Sequence, residues 1–570
     1  MKKFTTSLTN RSALLFFAVM LLSATMGLAQ VSYMENEVAH QISNKAEQGY
    51  LGDVVMDADK KEINLYFVTA TKSKKIKVEK YVFDYDLNFK TSEKEEYDQA
   101  KDVKSKYGWF KFRNEEIEKT IGVTAEPTMM GNLVFKRKEI TNFWSWYYGG
   151  YRTEVKTTDK LKPRNDEGNK YFYRGHFDND ETGELLALVS PKINGKDAYK
   201  MAMEYNVLKV DKDLNVVSKV DFTFKNPQFL IWKGVFDNTG DFAAIFAPTA
   251  GMGIKDESEK PTEYTYVRIN PKGEIVERVP FETKATRWMI GGVYDKDGIT
   301  TIYGAGFKIG KPKDAFADFK NYAPVYKGFD NMQVVSIKGG KVQYVAAPNL
   351  DEIASKTVAP SGQKKAKEYD GGRIRVTGIE TAPNGDVMIM AQMLTYNAVS
   401  QMVIYKDFMV FHFGADGGFK KMYSIDTPAK GGLYNSTDPL SSPATRPSSS
   451  EIFISNDGKT ALWTTALVSK VDKTSVSYYF LNEKTTTWTP REQLLVSTID
   501  LTSSNMTEVQ TVGDDTKGKK DFYLRQDIRY VPFGDGKRLL VIGEDRMSVG
   551  VFSKNDNYIY LGKLSISGKK

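Results

Sequence analysis

A short phrase recurs seven times along this chain: an apolar run, a tight turn of Asn, Asp or Gly, then a second apolar run rich in β-branched or aromatic residues. The copies start at Val54, His176, Val235, Val293, Glu380, Phe453 and Tyr530. Each has the composition of a β-hairpin, because Asn, Asp and Gly supply the turn geometry and the flanking runs favour a pleated, buried surface. A hairpin that returns at long, fairly regular spacing implies a repeat architecture.

A second hairpin follows each copy, from Lys80, Val207, Tyr266, Val334, Val410, Val496 and Val549. Two hairpins in succession make a four-stranded antiparallel meander. The sequence therefore predicts an all-β fold, a β-propeller of four-stranded antiparallel blades, with seven blades and eight as the alternative. The runs Phe242 to Phe246, Val387 to Met390 and Leu539 to Ile542 are continuously apolar, as in strands covered on both faces. The interval from Asp59 to Gly183 is about two blades long and lacks the turn motif. Residues 51–570 are read as one propeller domain with an insertion or degenerate blade at about 100–170.

The chain opens with Lys2, Lys3 and Arg11, an apolar stretch from Ala13 to Leu22, and small residues up to Ala29. That pattern predicts a secretory leader over residues 1–29. The apolar stretch spans about 15 Å as a helix, half the roughly 30 Å of a bilayer core. The mature chain is expected outside the cytoplasm, periplasmic or extracellular, with no transmembrane segment. Residues 30–50 form an N-terminal segment in which Met34, Val38, Ile42 and Ala46 recur at the i+4 spacing of a short amphipathic helix. There is no cysteine, which excludes disulfides, thiolate chemistry and a lipoprotein anchor. The net charge of +8 is spread among residues of both signs, a solvated surface rather than a nucleic-acid footprint.

The segment Phe453 to Trp463, with Ser455-Asn456-Asp457-Gly458-Lys459 at its turn, resembles the repeat of TolB-type propellers, in which Ser-Pro-Asp-Gly-Lys precedes an apolar strand. One copy matches well and six loosely. The resemblance implies an exported propeller that serves as a binding or scaffold module, and no particular activity.

Chemistry-bearing motifs are few. His40, His176 and His412 are the three histidines, and none has metal-ligand spacing. Arg174, His176 and Asp178 alternate and would share a strand face. Asp84, Asp86, Asn88 and Glu95 imitate a calcium loop, but Phe89 stands where the loop needs Gly. Hairpin turns call for these residue types anyway, so no cofactor is expected beyond that marginal calcium site. The segment Phe143 to Arg152 concentrates aromatic residues where the repeat lapses. Trp144, Trp146, Tyr147, Tyr148, Tyr151 and Arg152 are accordingly the candidate binding residues, either a platform for a glycan or protein or the core of a degenerate blade. The sequence thus suggests a monomeric, non-enzymatic scaffold that binds a protein or glycan in the bacterial envelope or outside the cell. The alternative is a carbohydrate-active hydrolase whose carboxylates converge at a central pocket.

Overall fold

The computed structural model describes residues 32–72, 75–98, 119–145, 150–179, 184–192, 201–236, 239–248, 263–282, 284, 287–296, 298–307, 331–397, 402–427, 442–478, 483–512, 523–525, 528–544 and 557–569. Residues 1–29, where the leader is expected, lie outside them. Among the described residues no helix is long and apolar enough to cross a membrane.

Strand β1 (Ser32–Gln41) precedes helix α1 (Asn44–Gln48). A four-stranded sheet follows, made of β2 (Tyr50–Asp57), β3 (Glu62–Lys72), β4 (Lys75–Asp84) and β5 (Phe89–Asp98). A three-stranded sheet of β6 (Lys119–Pro127), β7 (Leu133–Ser145) and β8 (Gly150–Leu161) fills part of the interval where the repeat lapses. A seven-stranded sheet comes next: β9 (Tyr171–Asn179), β10 (Glu184–Pro191), β11 (Met201–Val210), β12 (Val216–Val235), β13 (Phe242–Pro248), β14 (Glu263–Ile269) and β15 (Ile275–Glu282). It is two four-stranded arrays joined end to end, because the first part of β12 pairs with β11 and its last part, from Gln228, pairs with β13.

Another four-stranded sheet has β16 (Arg287–Lys296), β17 (Ile299–Phe307), β18 (Asn331–Lys338) and β19 (Lys341–Ala346). After helix α2 (Leu350–Ser355), the short β20 (Thr357–Val358) joins the outer edge of β21 (Arg373–Thr381), β22 (Val387–Asn397), β23 (Met402–Phe413) and β24 (Phe419–Ile425). The next sheet holds β25 (Ser449–Ile454), β26 (Thr460–Tyr478), β27 (Glu483–Asp500), β28 (Asn505–Met506) and β29 (Gln510–Val512). The last holds β30 (Tyr523–Leu524), β31 (Tyr530–Pro532), β32 (Arg538–Glu544) and β33 (Tyr558–Lys569), and takes β1 as its outer strand.

The described residues are therefore nearly all β, with strands paired antiparallel apart from β20 with β24, and each of the seven first hairpins forms where the turn motif stands. The turns are held by their own side chains. Asp84 Oδ1 accepts from the Asp86 and Asn88 amides at 2.9 Å, and Asp211 repeats this with Asp213 and Asn215. These Asx turns hold Leu87 and Leu214 at φ +66°, a backbone conformation that is costly for leucine and is offset at Leu87 by burial of the side chain.

Cores form between sheets. Ile245, Tyr266, Trp288 and Ile302 join the second half of the seven-stranded sheet to its successor. Val334, Ile379 and Phe411 make the next seam, and Met390, Trp463 and Ile499 the one after. The last sheet packs on the β25–β29 sheet through Leu462, Val496 and Leu564. It also packs on the first sheet, where Leu65, Phe83, Leu540 and Leu561 share one cluster.

Two local expectations are corrected. Met34 and Val38 belong to a strand, and the helix is confined to Asn44–Gln48. Positions four apart share a strand face as well as a helix face, and the free edge of β33 decides between them by pairing Val38 with Leu561. The closing strand of the last sheet is consequently β1, from the other end of the chain, where a strand following in sequence had been expected.

Candidate functional site

The first strand of five four-stranded arrays carries a bulge, at Gly52 of β2, Arg174 of β9, Ile231 of β12, Gly291 of β16 and Thr377 of β21. Each lies four or five residues before the strand ends at its turn. Bulges re-aim side chains and often border functional sites. The one at Arg174 breaks the simple alternation of Arg174, His176 and Asp178. Arg174 Nε donates to Ser190 Oγ at 2.9 Å, its guanidinium lies over Phe172 and Tyr205, and burial holds it below its ordinary pKa. His176 Nδ1 is 2.7 Å from the Tyr173 hydroxyl. Asp53, next to the bulge at Gly52, is buried, and among the described residues no cation or other side chain pairs with its carboxyl. Burial pushes its pKa up to about 7.

The densest set of buried charge lies at the seam between the β25–β29 sheet and the last sheet. Ser449, Glu451 and Phe453 alternate along β25. Phe453 meets Tyr530 edge to face at 5.8 Å. Arg529, just before β31, donates to Ser449 Oγ at 2.9 Å and lies 2.5 Å from Glu492 Oε2 on β27. Burial pushes Glu492 and Glu451 above the usual carboxylate range, and the Arg529 charge only partly opposes this at each. The Tyr530 hydroxyl is buried among the three and its pKa is raised, by burial first. The adjacent Arg491, 5% exposed, points to the other pair: Glu544 takes Arg491 Nη1 on one oxygen and Arg525 Nη1 on the other, both at 3.1 Å. An extra residue in β26 opposite Arg491 and Glu492 locally twists the ladder there. Arg529 contacts Glu492 and its charge also acts on Glu451, and both carboxyls bind protons more tightly than usual, as perturbed groups at functional sites do.

The residues singled out in the sequence are not brought to this seam by any contact among the described residues. Trp144 pairs with Tyr151 and Phe143 with Arg152 at the end of the β7–β8 hairpin. Trp146, Tyr147 and Tyr148 lie outside the described residues. At the marginal calcium loop, both Asp84 oxygens are used within the turn and Asp86 pairs with Lys563 at 3.0 Å. Glu95 is on the neighbouring strand opposite Val78. His412 is a buried structural residue, its Nε2 2.9 Å from Asp386 Oδ2, which also takes Lys420. Among the described residues, no three His, Asp or Glu side chains gather as a metal would need. Glu451, Glu492 and Arg529 were missed because they come from three separate segments; the alternation of Ser449, Glu451 and Phe453 was the available signal.

No protein-family model matches the sequence. No curated protein matches it either. Solved structures similar to the chain include a lignostilbene dioxygenase from Pseudomonas brassicacearum, 11% identical, covering 75% of this chain and 83% of that one at a TM-score of 0.29. An α-L-arabinofuranosidase from Lactobacillus brevis is 10% identical over 58% of this chain and 91% of its own, at 0.23. A cobalt-substituted apocarotenoid oxygenase from Synechocystis is 8% identical over 85% and 94%, at 0.25. These findings correct two expectations. A non-enzymatic scaffold is no longer the reading, since these similar structures are enzymes, and neither is the absence of a cofactor, since one of them is cobalt-substituted. At such TM-scores they transfer neither an activity nor a metal to this chain.

Proposed function

We propose that this chain is a carbohydrate-active hydrolase built on a β-propeller, with Glu451 and Glu492 as its acid–base pair and Arg529 as the cation that both carboxyls face. The observation that carries the reading is the Arg529 guanidinium, which lies 2.5 Å from Glu492 and whose charge opposes the effect of burial on Glu451. The propeller reading is supported by the sheet-to-sheet cores and by the packing of the last sheet on the first. Counting the two halves of the seven-stranded sheet separately favours eight blades over seven. Export through the leader at residues 1–29 belongs to the same reading.

In hydrolysis of a glycosidic bond, the protonated carboxyl gives its proton to the leaving oxygen as the C–O bond breaks. The ionised partner takes a proton from the water that adds to the anomeric carbon. Burial, which raises both carboxyls, suits the first role, and Arg529, which partly opposes that rise, favours the ionised form the second role needs. Arg529 and the hydroxyl of Tyr530 would then orient the carboxyls. The test is turnover of a panel of aryl glycosides and polysaccharides, followed by Glu451→Gln and Glu492→Gln. Loss of about 100-fold or more in kcat with unchanged folding is expected, the scale of general acid–base catalysis. No turnover of any glycoside, or full activity in both variants, would overturn the assignment.

A further inference from the structure

A polar cleft of about 760 Å³ opens at the turn ends of β25–β28, between that sheet and the segment carrying β20. Its walls include Ser361, Asp457, Thr460, Asp500, Ser503 and Thr507, over an apolar floor of Val358, Ala359 and Met506. Two departures from the repeat coincide there. The strand β20 pairs in parallel with β24, the one parallel pair among the described residues, and its continuation crosses to the neighbouring sheet, where the Ser361 amide donates to the Met506 carbonyl at 3.0 Å. Opposite it, the outer strand is broken between β28 and β29. At the break Thr507 Oγ1 accepts from the Thr498 amide at 2.8 Å and Ser497 Oγ donates to the Thr507 carbonyl at 2.9 Å. Neither departure is needed to continue the repeat, and together they form the cleft.

The walls have a definite chemistry. Asp457 Oδ1 accepts from Ser455 Oγ at 2.7 Å and from the Lys459 amide at 3.1 Å. Asp500 Oδ1 accepts from the Thr502 and Ser503 amides at 2.8 and 3.0 Å. Each carboxylate is fixed by its own turn and borders the cleft. These bonds also hold both carboxyls below their ordinary pKa, so they are ionised at neutral pH. Ionised acceptors among hydroxyls that both donate and accept suit a ligand with many hydroxyl groups; two carboxylates against the single Lys459 disfavour a phosphate. The volume is within the roughly 300 to 1,000 Å³ of small-molecule sites.

We propose that this cleft is a second, non-catalytic site that binds a short neutral oligosaccharide through the ligand's hydroxyls, whatever chemistry occurs at the Glu451–Glu492 seam. The experiment is calorimetric titration of the mature chain with cellotetraose, maltotetraose, xylotetraose and chitotetraose. At least one should bind, and Asp457→Asn or Asp500→Asn, which keep the turn acceptor, should weaken it about tenfold, the worth of one charge-assisted hydrogen bond. Ala359→Trp, which fills the floor, should abolish binding, while Glu492→Gln should leave it unchanged. No binding by any of the four sugars, or binding lost in Glu492→Gln but retained in Asp457→Asn, Asp500→Asn and Ala359→Trp, would overturn the proposal. The second outcome would instead place the sugar at the seam.

Discussion

Arg529 Nη2 stands 2.5 Å from Glu492 Oε2, across the seam between β27 and the residues that lead into β31. Glu492 is 6% exposed, so neither water nor another cation replaces the guanidinium when it is removed. Arg529→Met should therefore cost about 3 kcal/mol at pH 7, the scale of breaking a buried pair on one side. The orphaned carboxyls should bind protons still more tightly, so the deficit should shrink as the pH falls toward 4 and they become neutral. Urea unfolding at both pH values measures this, and an equal deficit at each would contradict it.

Asp53 makes a prediction of the same kind with no partner involved. Its folded pKa of about 7 lies above its ordinary 3.8, so the folded state holds the proton more tightly than the unfolded state does. Its contribution to stability is complete below pH 4 and is lost as the pH rises through 7. Asp53→Asn should stabilise the protein at pH 8, with a ceiling on the order of 4 kcal/mol, and should leave a flatter stability profile between pH 4 and 8. Denaturant midpoints across that range test it; an unchanged profile would show that Asp53 does not titrate there.

Two turn glycines of nearly equal conformation should respond differently to alanine. At Gly298, φ +72°, an added Cβ would meet nothing within 4 Å, whereas at Gly536, φ +61°, it would stand 1.9 Å from Asn456 Oδ1. Gly298→Ala should cost about 1 kcal/mol from backbone strain alone. Gly536→Ala should cost about 1 kcal/mol more, because Asn456 must give up its hydrogen bond to the Asp535 carbonyl. Thermal denaturation of the two variants side by side is sufficient.

Removing residues 32–41 should expose the backbone edge of β33 and release the Tyr560 hydroxyl from Glu37 Oε2, a bond of 2.7 Å. A lower Tm and a rise in light scattering are expected, since unpaired edges invite association. An unchanged Tm with monomeric scattering would mean that β1 is dispensable.

The hairpins were legible because their information is local: Asp84, Asp211 and Gly298 set their turns through bonds or backbone angles spanning a few residues. The exposed/buried logic of Phe242 to Phe246 was legible for the same reason, and these residues are buried as expected. What failed was long-range. Met34 and Val38 obey helix and strand periodicity equally, and only β33, distant in sequence, settles the matter. The Arg529 contact to Ser449 spans 80 residues, and no spacing rule in a linear sequence anticipates it. The aspartates at the turns were read as turn formers, and Asp84 does bond within its own turn.

The pairing of β1 with β33 sets a schedule for folding. Synthesis delivers Ser32–Gln41 first and Tyr558–Lys569 last, and Tyr560 reaches Glu37 across a separation of 523 residues. The first strand must wait, unpaired, for nearly the whole chain to arrive, and closing so long a loop is a slow step. Until then β1 and β33 each keep an open backbone edge, and a chain cut short before Tyr558 would lack the partner that covers its first strand.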